Sequence, residues 1–300
     1  MAVDRGGRVS PLAGPTQSYG SALSLAPDGR RLAAVTLDIR EQVLWIVDTS
    51  RGTRARVAGG GESTWPRWTP DGQRIAYQRL ANGVRELVWQ RADAATAAEP
   101  LARGDHYPSS WSPDGQHLAT LLDDDIWIVT VAGSTPTLER LSETPEIEQW
   151  PEFSHDGQWL AYGSDATSRN EIYIQPWPGP GPREQVSLEG GESPAWNPSG
   201  RELFFLSLPD AAGRRRMWAV DVGTSPRLRI GVPRRLFDFS LTDLGIGCFP
   251  CRCYAVSHDG GRFFTTQIQA ESSHSARHAH PARPGWLEEM KARVAGEVGR

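Results

Sequence analysis

The stretch Trp111-Ser112-Pro113-Asp114-Gly115-Gln116-His117-Leu118-Ala119 has the sequence of a strand end, a tight turn and the start of a second strand. Pro113 fixes φ at the first corner of the turn, and the Asp114 side chain can bond the backbone of the turn itself. Gly115 suits the position where φ is positive. Apolar residues stand on both sides, at Trp111 and Leu118. The stretch therefore predicts a β-hairpin.

This hairpin recurs along the chain at a nearly constant period. Its turn positions are Asp28, Asp71, Asp114, Asp156, Ser199 and Asp259, which are 43, 43, 42, 43 and 60 residues apart. Each of the first five periods also carries a third apolar run, such as Ile126–Val129, and several carry a weaker fourth. Four strands in about 42 residues indicate a β-propeller blade. We therefore expect an all-β fold, a six-bladed β-propeller of four-stranded antiparallel blades.

The repeat spacing divides the chain into three parts. Residues 1–17 form an N-terminal segment, and we expect a strand within Arg5–Leu12 to complete the last blade. Residues 18–270 form the propeller, with blades near 20–60, 61–103, 104–145, 146–190, 191–238 and 250–270, the last one completed by the N-terminal strand. Residues 271–300 form a polar segment and a short C-terminal helix, because Trp286, Leu287, Met290 and Val294 have helical spacing.

The composition favours a folded domain and excludes several classes of partner. The chain has 12 Trp residues and 38% hydrophobic residues, which argues against disorder. Its formal net charge of −4 indicates neither a nucleic-acid nor a membrane partner. Since Met1–Gln17 contains no apolar signal region, we expect a cytoplasmic chain, unless it is a piece of a longer protein. We expect a monomer.

Sequence motifs for catalysis and metal binding give little support to an enzyme. Gly-x-Ser-x-Gly, the nucleophile motif of many hydrolases, does not occur in the sequence, and neither do the His-Arg-Asp and Asp-Phe-Gly motifs of kinases. Cys248, Cys251 and Cys253 are ligand types that zinc accepts, but their spacing matches no common four-ligand pattern. A loop with free thiols is the favoured interpretation. We expect no catalytic residues, no metal and no cofactor.

The segments just upstream of each repeat are the candidates for ligand binding, because propellers bind where loops converge at a mouth of the channel. In three of them an aromatic residue, Trp65, Tyr107 or Trp150, precedes a proline. The candidate residues are Glu62, Trp65, Asp105, His106, Tyr107, Glu148, Trp150 and Glu192. An acidic mouth lined by aromatic rings suits a cationic peptide or a polyhydroxylated ligand. In the alternative, the rings pack between blades and the carboxylates are solvated.

The Pro-Asp-Gly hairpin followed by Ile-Ala or Leu-Ala resembles the repeat of TolB-type propellers over roughly residues 20–268. Four segments resemble one branch, the propellers carried C-terminally on bacterial Ser/Thr protein-kinase-like chains. They are Glu171–Pro180, Gly200–Phe205, Met217–Val222 and Trp286–Lys291. The resemblance implies a six-bladed propeller used as an interaction or sensor module, without catalytic residues of its own.

The leading hypothesis is therefore a non-enzymatic interaction scaffold or sensor domain. It binds a protein, a peptide or a small polar ligand at the loop face or channel mouth of the propeller. A second hypothesis is a metal-dependent hydrolase or lyase with a site centred on the channel. A third is a small-molecule or glycan-sensing domain of a larger kinase-like protein.

Overall fold

A computed structural model describes residues 1–14, 18–37, 42–58, 62–133, 135–141, 144–225, 227–241, 243–246 and 251–267. Within these ranges the secondary structure consists of strands and contains no helix. The C-terminal helix expected after residue 271 lies outside the described residues.

The strands are β1 (Ala2–Asp4), β2 (Val9–Ser10), β3 (Tyr19–Leu25), β4 (Arg31–Leu37), β5 (Gln42–Asp48), β6 (Arg54–Ala58), β7 (Glu62–Trp68), β8 (Arg74–Ala81), β9 (Val84–Arg91), β10 (Glu99–Arg103), β11 (Tyr107–Trp111), β12 (His117–Leu122), β13 (Asp125–Thr130), β14 (Thr137–Arg140), β15 (Glu148–Phe153), β16 (Trp159–Ser164), β17 (Glu171–Pro176), β18 (Glu184–Gln185), β19 (Glu192–Trp196), β20 (Glu202–Leu206), β21 (Arg214–Gly223), β22 (Arg229–Ile230), β23 (Arg234–Ser240), β24 (Ala255–Val256) and β25 (Arg262–Phe264).

These strands form six antiparallel sheets, one for each sequence repeat, and confirm the six-bladed propeller. Blades 1 to 5 are β3–β6, β7–β10, β11–β14, β15–β18 and β19–β23, and blade 6 combines β24 and β25 with β1 and β2. The first strands β3, β7, β11, β15, β19 and β24 contact one another in that order, and β24 contacts β3. These six strands therefore surround the central channel.

The turn between the first two strands of each blade explains why the motif recurs. In blade 3, Ser112 Oγ donates a hydrogen bond of 2.5 Å to Asp114 Oδ1, and the Gln116 backbone N donates one of 3.0 Å to the same oxygen. Gly115 takes φ 70°, which residues with a Cβ rarely adopt. The Asp114 carboxylate is thus engaged within its own turn and has an architectural role.

The turn carboxylates predict a loss of stability in acid. Hydrogen bonds from Ser257 and Gly261 lower the pKa of Asp259 below its usual 3.8. Burial tends to raise the pKa of Asp114, but hydrogen bonds from Ser112 and Gln116 outweigh it, so that this pKa is also lowered. Because these carboxylates have a lower pKa in the folded state than in the unfolded state, they stabilise the fold fully when the pH is above their unfolded-state pKa. This contribution is lost as the pH falls through their folded-state pKa.

We therefore expect the urea midpoint to fall as the pH is lowered from about 5 to about 2.5. The Asp259→Asn variant should lose less stability over this range than the wild type, because its turn no longer titrates. A variant with the same pH slope as the wild type would show that this carboxylate does not contribute. Urea unfolding followed by circular dichroism measures both slopes.

Blade 6 is completed by the N-terminal strands. In β1, Ala2, Val3 and Asp4 pair with Phe264, Phe263 and Arg262 of β25, and β2 pairs with the other edge of β1. Of these two strands, β2 lies within the expected range Arg5–Leu12, whereas β1 lies before it. The Val3 side chain is fully buried in a cluster that also contains Phe204 and Phe263. The N-terminal strands thus join the last blade to the hydrophobic core.

The large apolar residue before each turn packs between blades. Trp68 of blade 2 belongs to a buried cluster with Ala33 and Ile46 of blade 1. Trp111 of blade 3 lies in a cluster with Ala76 and Leu87 of blade 2. Each blade therefore buries its neighbour's face, which accounts for part of the high Trp content.

Candidate binding sites at the two ends of the channel

The candidate mouth residues lie mostly inside the first strands of the blades, and not in loops before them as expected. The first strands of blades 2 to 5 each contain a β-bulge, at which the pairing register shifts. At three of these bulges a residue other than glycine has positive φ: Trp65 (56°), Trp150 (53°) and Ser193 (53°). A bulge inserts an extra residue and re-aims side chains while the strand continues. The strands therefore extend through the segments that were interpreted as loops.

Six side chains from blades 2 and 3 form a connected cluster at the strand-start end of the channel, here called the mouth cluster. They are Glu62, Trp65, Gln78, Arg85, Asp105 and Tyr107. Arg85 lies 3.3 Å from Glu62 and 3.5 Å from Asp105. Gln78 Nε2 and Tyr107 OH donate to Asp105 at 2.8 and 3.2 Å.

The two aromatic rings of the mouth cluster meet edge to face. The Trp65 and Tyr107 ring centroids are 6.0 Å apart, with an interplanar angle of 81°. Both residues are half-buried, so that part of each ring faces solvent. Rings fixed by a neighbour and by hydrogen bonds lose little conformational entropy when a ligand packs on them.

Three of the candidate residues are buried. His106 is 0% exposed, its Nδ1 lies 3.1 Å from Thr120 Oγ1, and its ring stands edge-on to Trp127. Burial lowers the pKa of His106 below 6.5, and the charges of Asp123 and Asp105 oppose this. Glu148 and Trp150 are 2% and 5% exposed. These three side chains do not present a surface to a ligand.

Arginine side chains reduce the acidic character of the mouth. Glu192, the eighth candidate, accepts a hydrogen bond from Arg215, and Glu62 and Asp105 share Arg85. These arginines come from other strands, so the sequence alone does not pair them with the carboxylates. The structure therefore brings together Glu62, Trp65, Asp105 and Tyr107, and it places Glu192 apart on blade 5.

The segment that leads into blade 6, Cys251–Tyr254, lies against the inner strands of four blades and is here called the channel segment. The Cys251 thiol donates to Pro108 O at 3.6 Å in blade 3. Arg252 donates to Pro194 O of blade 5 at 3.1 Å and contacts Glu152 of blade 4 at 2.7 Å. Arg67 of blade 2 donates to Arg252 O at 3.2 Å.

The cysteines of this region differ in state. Cys251 is buried, and burial raises the pKa of its thiol, whereas Cys253 is disulfide-bonded. The expectation of free thiols is therefore wrong for Cys253. Among the described residues, no group of three or more His, Cys, Asp or Glu side chains is placed to hold a metal ion.

A cavity of about 140 Å³ lies at the opposite end of the channel, near the Asp-Gly turns, and is here called the turn-end cavity. Its charged side chains are Arg67, Glu152 and Arg252, and His155 and Trp196 also line it. Sequence reasoning missed these residues. The sequence does contain a signal at the position just before the apolar residue that packs between blades. At this inward-facing position the six repeats carry Ser24, Arg67, Ser110, Glu152, Ala195 and Ala255. Only Arg67 and Glu152 are charged, and both line the turn-end cavity.

The fold and these sites define a six-bladed propeller with ligand-accessible features at both ends of its channel. The chain belongs to the TolB β-propeller domain family, PD40, which matches residues 59–227. A search of curated proteins gave no match. The described residues include no helical segment with the length and hydropathy that a bilayer crossing requires.

Solved structures share this fold at low sequence identity. A protein of Agrobacterium tumefaciens assigned as TolB is 21% identical with a TM-score of 0.65, and the alignment covers 88% of this chain and 97% of that one. TolB from Acinetobacter baumannii is 20% identical with a TM-score of 0.55, over 71% of this chain and 54% of that one. An oligogalacturonate lyase in complex with manganese is 13% identical with a TM-score of 0.57, over 85% and 72%. At these identities the likeness shows the fold alone.

Proposed function

We propose that this propeller is a non-catalytic binding module that holds a protein or peptide segment at the mouth of its channel. The observation that carries the proposal is the mouth cluster, in which the half-buried rings of Trp65 and Tyr107 stand beside hydrogen-bonding groups. Aromatic anchors surrounded by polar groups are typical of protein-recognition surfaces. The TolB-type resemblance, which implies an interaction module, supports the same function.

The charges of the mouth cluster favour a neutral or cationic segment. Two carboxylates, on Glu62 and Asp105, share the single guanidinium of Arg85, so the cluster has a net charge of −1. A basic side chain of the ligand would be attracted both by this excess negative charge and by the faces of the two rings, which attract cations. Exposed ion pairs contribute little to stability, so Arg85 can exchange partners at low cost when a ligand binds.

Selection of displayed random peptides on the folded protein tests the proposal. We expect selected peptides to bind wild-type protein and to lose about tenfold or more in affinity for Trp65→Ala. Trp45→Ala is the matched control. Trp45 lies on β5, outside the mouth cluster, and is half-buried, with Cζ of Arg54 4.6 Å from the centroid of its ring. Equal affinity of wild type and Trp65→Ala, or a selection that yields no binding peptide, would contradict a peptide site at the mouth.

The alternative functions predict different results. A metal-dependent lyase or hydrolase requires stoichiometric metal in the purified protein together with turnover of an ester or glycan, and that result would overturn the non-catalytic proposal. A sensor domain of a kinase-like protein requires that the same open reading frame also encodes a kinase domain. It further requires a small molecule or glycan that competes with the selected peptides for binding. Neither outcome is expected if the mouth cluster is a peptide anchor.

A further inference from the structure

The turn-end cavity contains an arginine with an unusual environment. Arg67 is 5% exposed, and among the described residues no carboxylate lies within salt-bridge distance of its guanidinium. Its donors instead meet backbone carbonyls, with Nε bonding Ser109 O, Nη1 bonding Pro66 O and Leu23 O, and Nη2 bonding Arg252 O. Since a guanidinium has five N–H groups, one N–H on Nη2 is left without a partner among the described residues.

The second arginine of the cavity has one carboxylate partner. Arg252 Nη1 lies 2.7 Å from Glu152 Oε1, and both side chains are 16% exposed. Its Nε bonds Tyr254 O at 2.9 Å and its Nη1 also bonds Pro194 O at 3.1 Å. Nη2 of Arg252 has no hydrogen-bond partner among the described residues, so the N–H groups of this nitrogen are available to a ligand.

The charges of the cavity do not balance. Two guanidinium groups, of Arg67 and Arg252, face a single carboxylate, that of Glu152. His155 adds no further positive charge at neutral pH, because burial lowers its pKa below 6.5. A buried positive charge without an anion is costly, and a bound anion with suitable hydrogen-bonding geometry removes that cost.

Apart from Ser24 and His155, the remaining walls of the cavity are apolar. Leu25, Phe153, Trp196 and Val256 line it together with the charged groups. A ligand that fills the cavity must therefore combine an anionic group with an apolar body. The single surplus positive charge matches a monoanion, and the unpartnered N–H groups of the two guanidiniums can each donate to one of the two oxygens of a carboxylate.

We propose that the turn-end cavity binds a carboxylate carried on a small apolar or aromatic body, with its oxygens on the free N–H groups of Arg67 and Arg252. The carboxylate has two possible sources, a free organic acid and the C-terminus of a peptide. This site lies at the other end of the inner strands from the mouth cluster, and its existence does not depend on the function proposed for the mouth.

The test uses ligand pairs that differ only in charge. Benzoate is titrated against benzamide by calorimetry on the wild-type protein, and a tripeptide ending in Phe is titrated with a free and with an amidated C-terminus. We expect at least one acid to bind about tenfold or more tightly than its amide, because a charge-assisted bidentate bond is lost in the amide. Preference for benzoate identifies a free acid as the ligand class, and preference for the free tripeptide alone identifies a chain terminus. Equal binding, or no binding, within both pairs would overturn the proposal.

Two variants change the charge of the cavity in opposite directions. Glu152→Gln removes the competing carboxylate and is expected to strengthen binding of the preferred acid about tenfold, whereas Arg252→Gln is expected to weaken it by a similar factor. If Arg252→Gln fails to fold, the wild-type ligand pairs and Glu152→Gln still decide the matter. Trp45→Ala, which changes a half-buried ring outside the cavity lining and outside the mouth cluster, should leave the acid affinity unchanged. A Glu152→Gln protein that folds and binds the acid no more tightly would contradict the assignment.

Discussion

Trp150→Ala is expected to lower the free energy of unfolding by about 3–5 kcal/mol, as is usual when a buried Trp is truncated. Trp150 is 5% exposed, and its ring packs so closely on Gly163 that a Cβ there would lie 2.9 Å from Trp150 Cε3. Truncation leaves a cavity that the rigid strands β15 and β16 cannot close. Urea unfolding followed by fluorescence or circular dichroism measures the loss.

Trp65→Ala is the matched control for this prediction. Both residues stand at a bulge before a proline and have nearly the same backbone conformation, with φ 56° for Trp65 and 53° for Trp150. The cost of placing Ala at positive φ is therefore similar in the two variants and cancels in the comparison. Trp65 is only half-buried, so we expect its truncation to lower the free energy of unfolding by about 1 kcal/mol. Equal losses would mean that the two rings have the same structural role and would weaken the case for Trp65 as a ligand anchor.

Val3→Asp is expected to destabilise the propeller by about 3 kcal/mol or more, and the protein would be largely unfolded if its total stability is ordinary. Val3 is 0% exposed and pairs with Phe263, so the substitution buries a carboxylate among aromatic rings. The charge has no partner there and must be protonated or must open the blade.

Val9→Asp tests the same N-terminal segment at an exposed position. Val9 of β2 is 46% exposed, and its replacement should change the stability by no more than about 0.5 kcal/mol. Thermal unfolding of the two variants side by side therefore reports whether β1 completes blade 6. A Val3→Asp protein as stable as Val9→Asp would show that the ring is not joined through β1.

The fold could be predicted from the sequence because the residues that specify each hairpin turn lie next to one another in the chain. Asp114, Gly115 and their counterparts need only their own neighbours to specify the hairpin, and the period of about 43 residues then sets the number of blades. The bulges were not predictable in the same way. One extra residue in a strand leaves the apolar spacing near the turn unchanged, so Trp65 and Trp150 appeared to lie in equivalent loops although one is half-exposed and the other is buried.

The turn-end cavity depends on contacts that local patterns do not encode. Arg67 and Arg252 meet across 185 residues of chain, through a segment that interrupts the repeat. The inward-facing charges of Arg67 and Glu152 were visible in the sequence, but their common position becomes apparent only when the six repeats are aligned on their turns. The burial of His106 likewise results from the packing of Thr120 and Trp127, which belong to later strands.

Amide hydrogen exchange on the complex with a selected peptide tests the central claim most directly. If the mouth cluster is the binding site, peptide binding should slow exchange in residues 62–67 and 105–109 and leave the outer strands, such as β6 and β10, unchanged. The Trp65→Ala protein should show no such protection at the same peptide concentration. Protection confined to the outer strands or to the Asp-Gly turns, with residues 62–67 and 105–109 unaffected, would contradict the account.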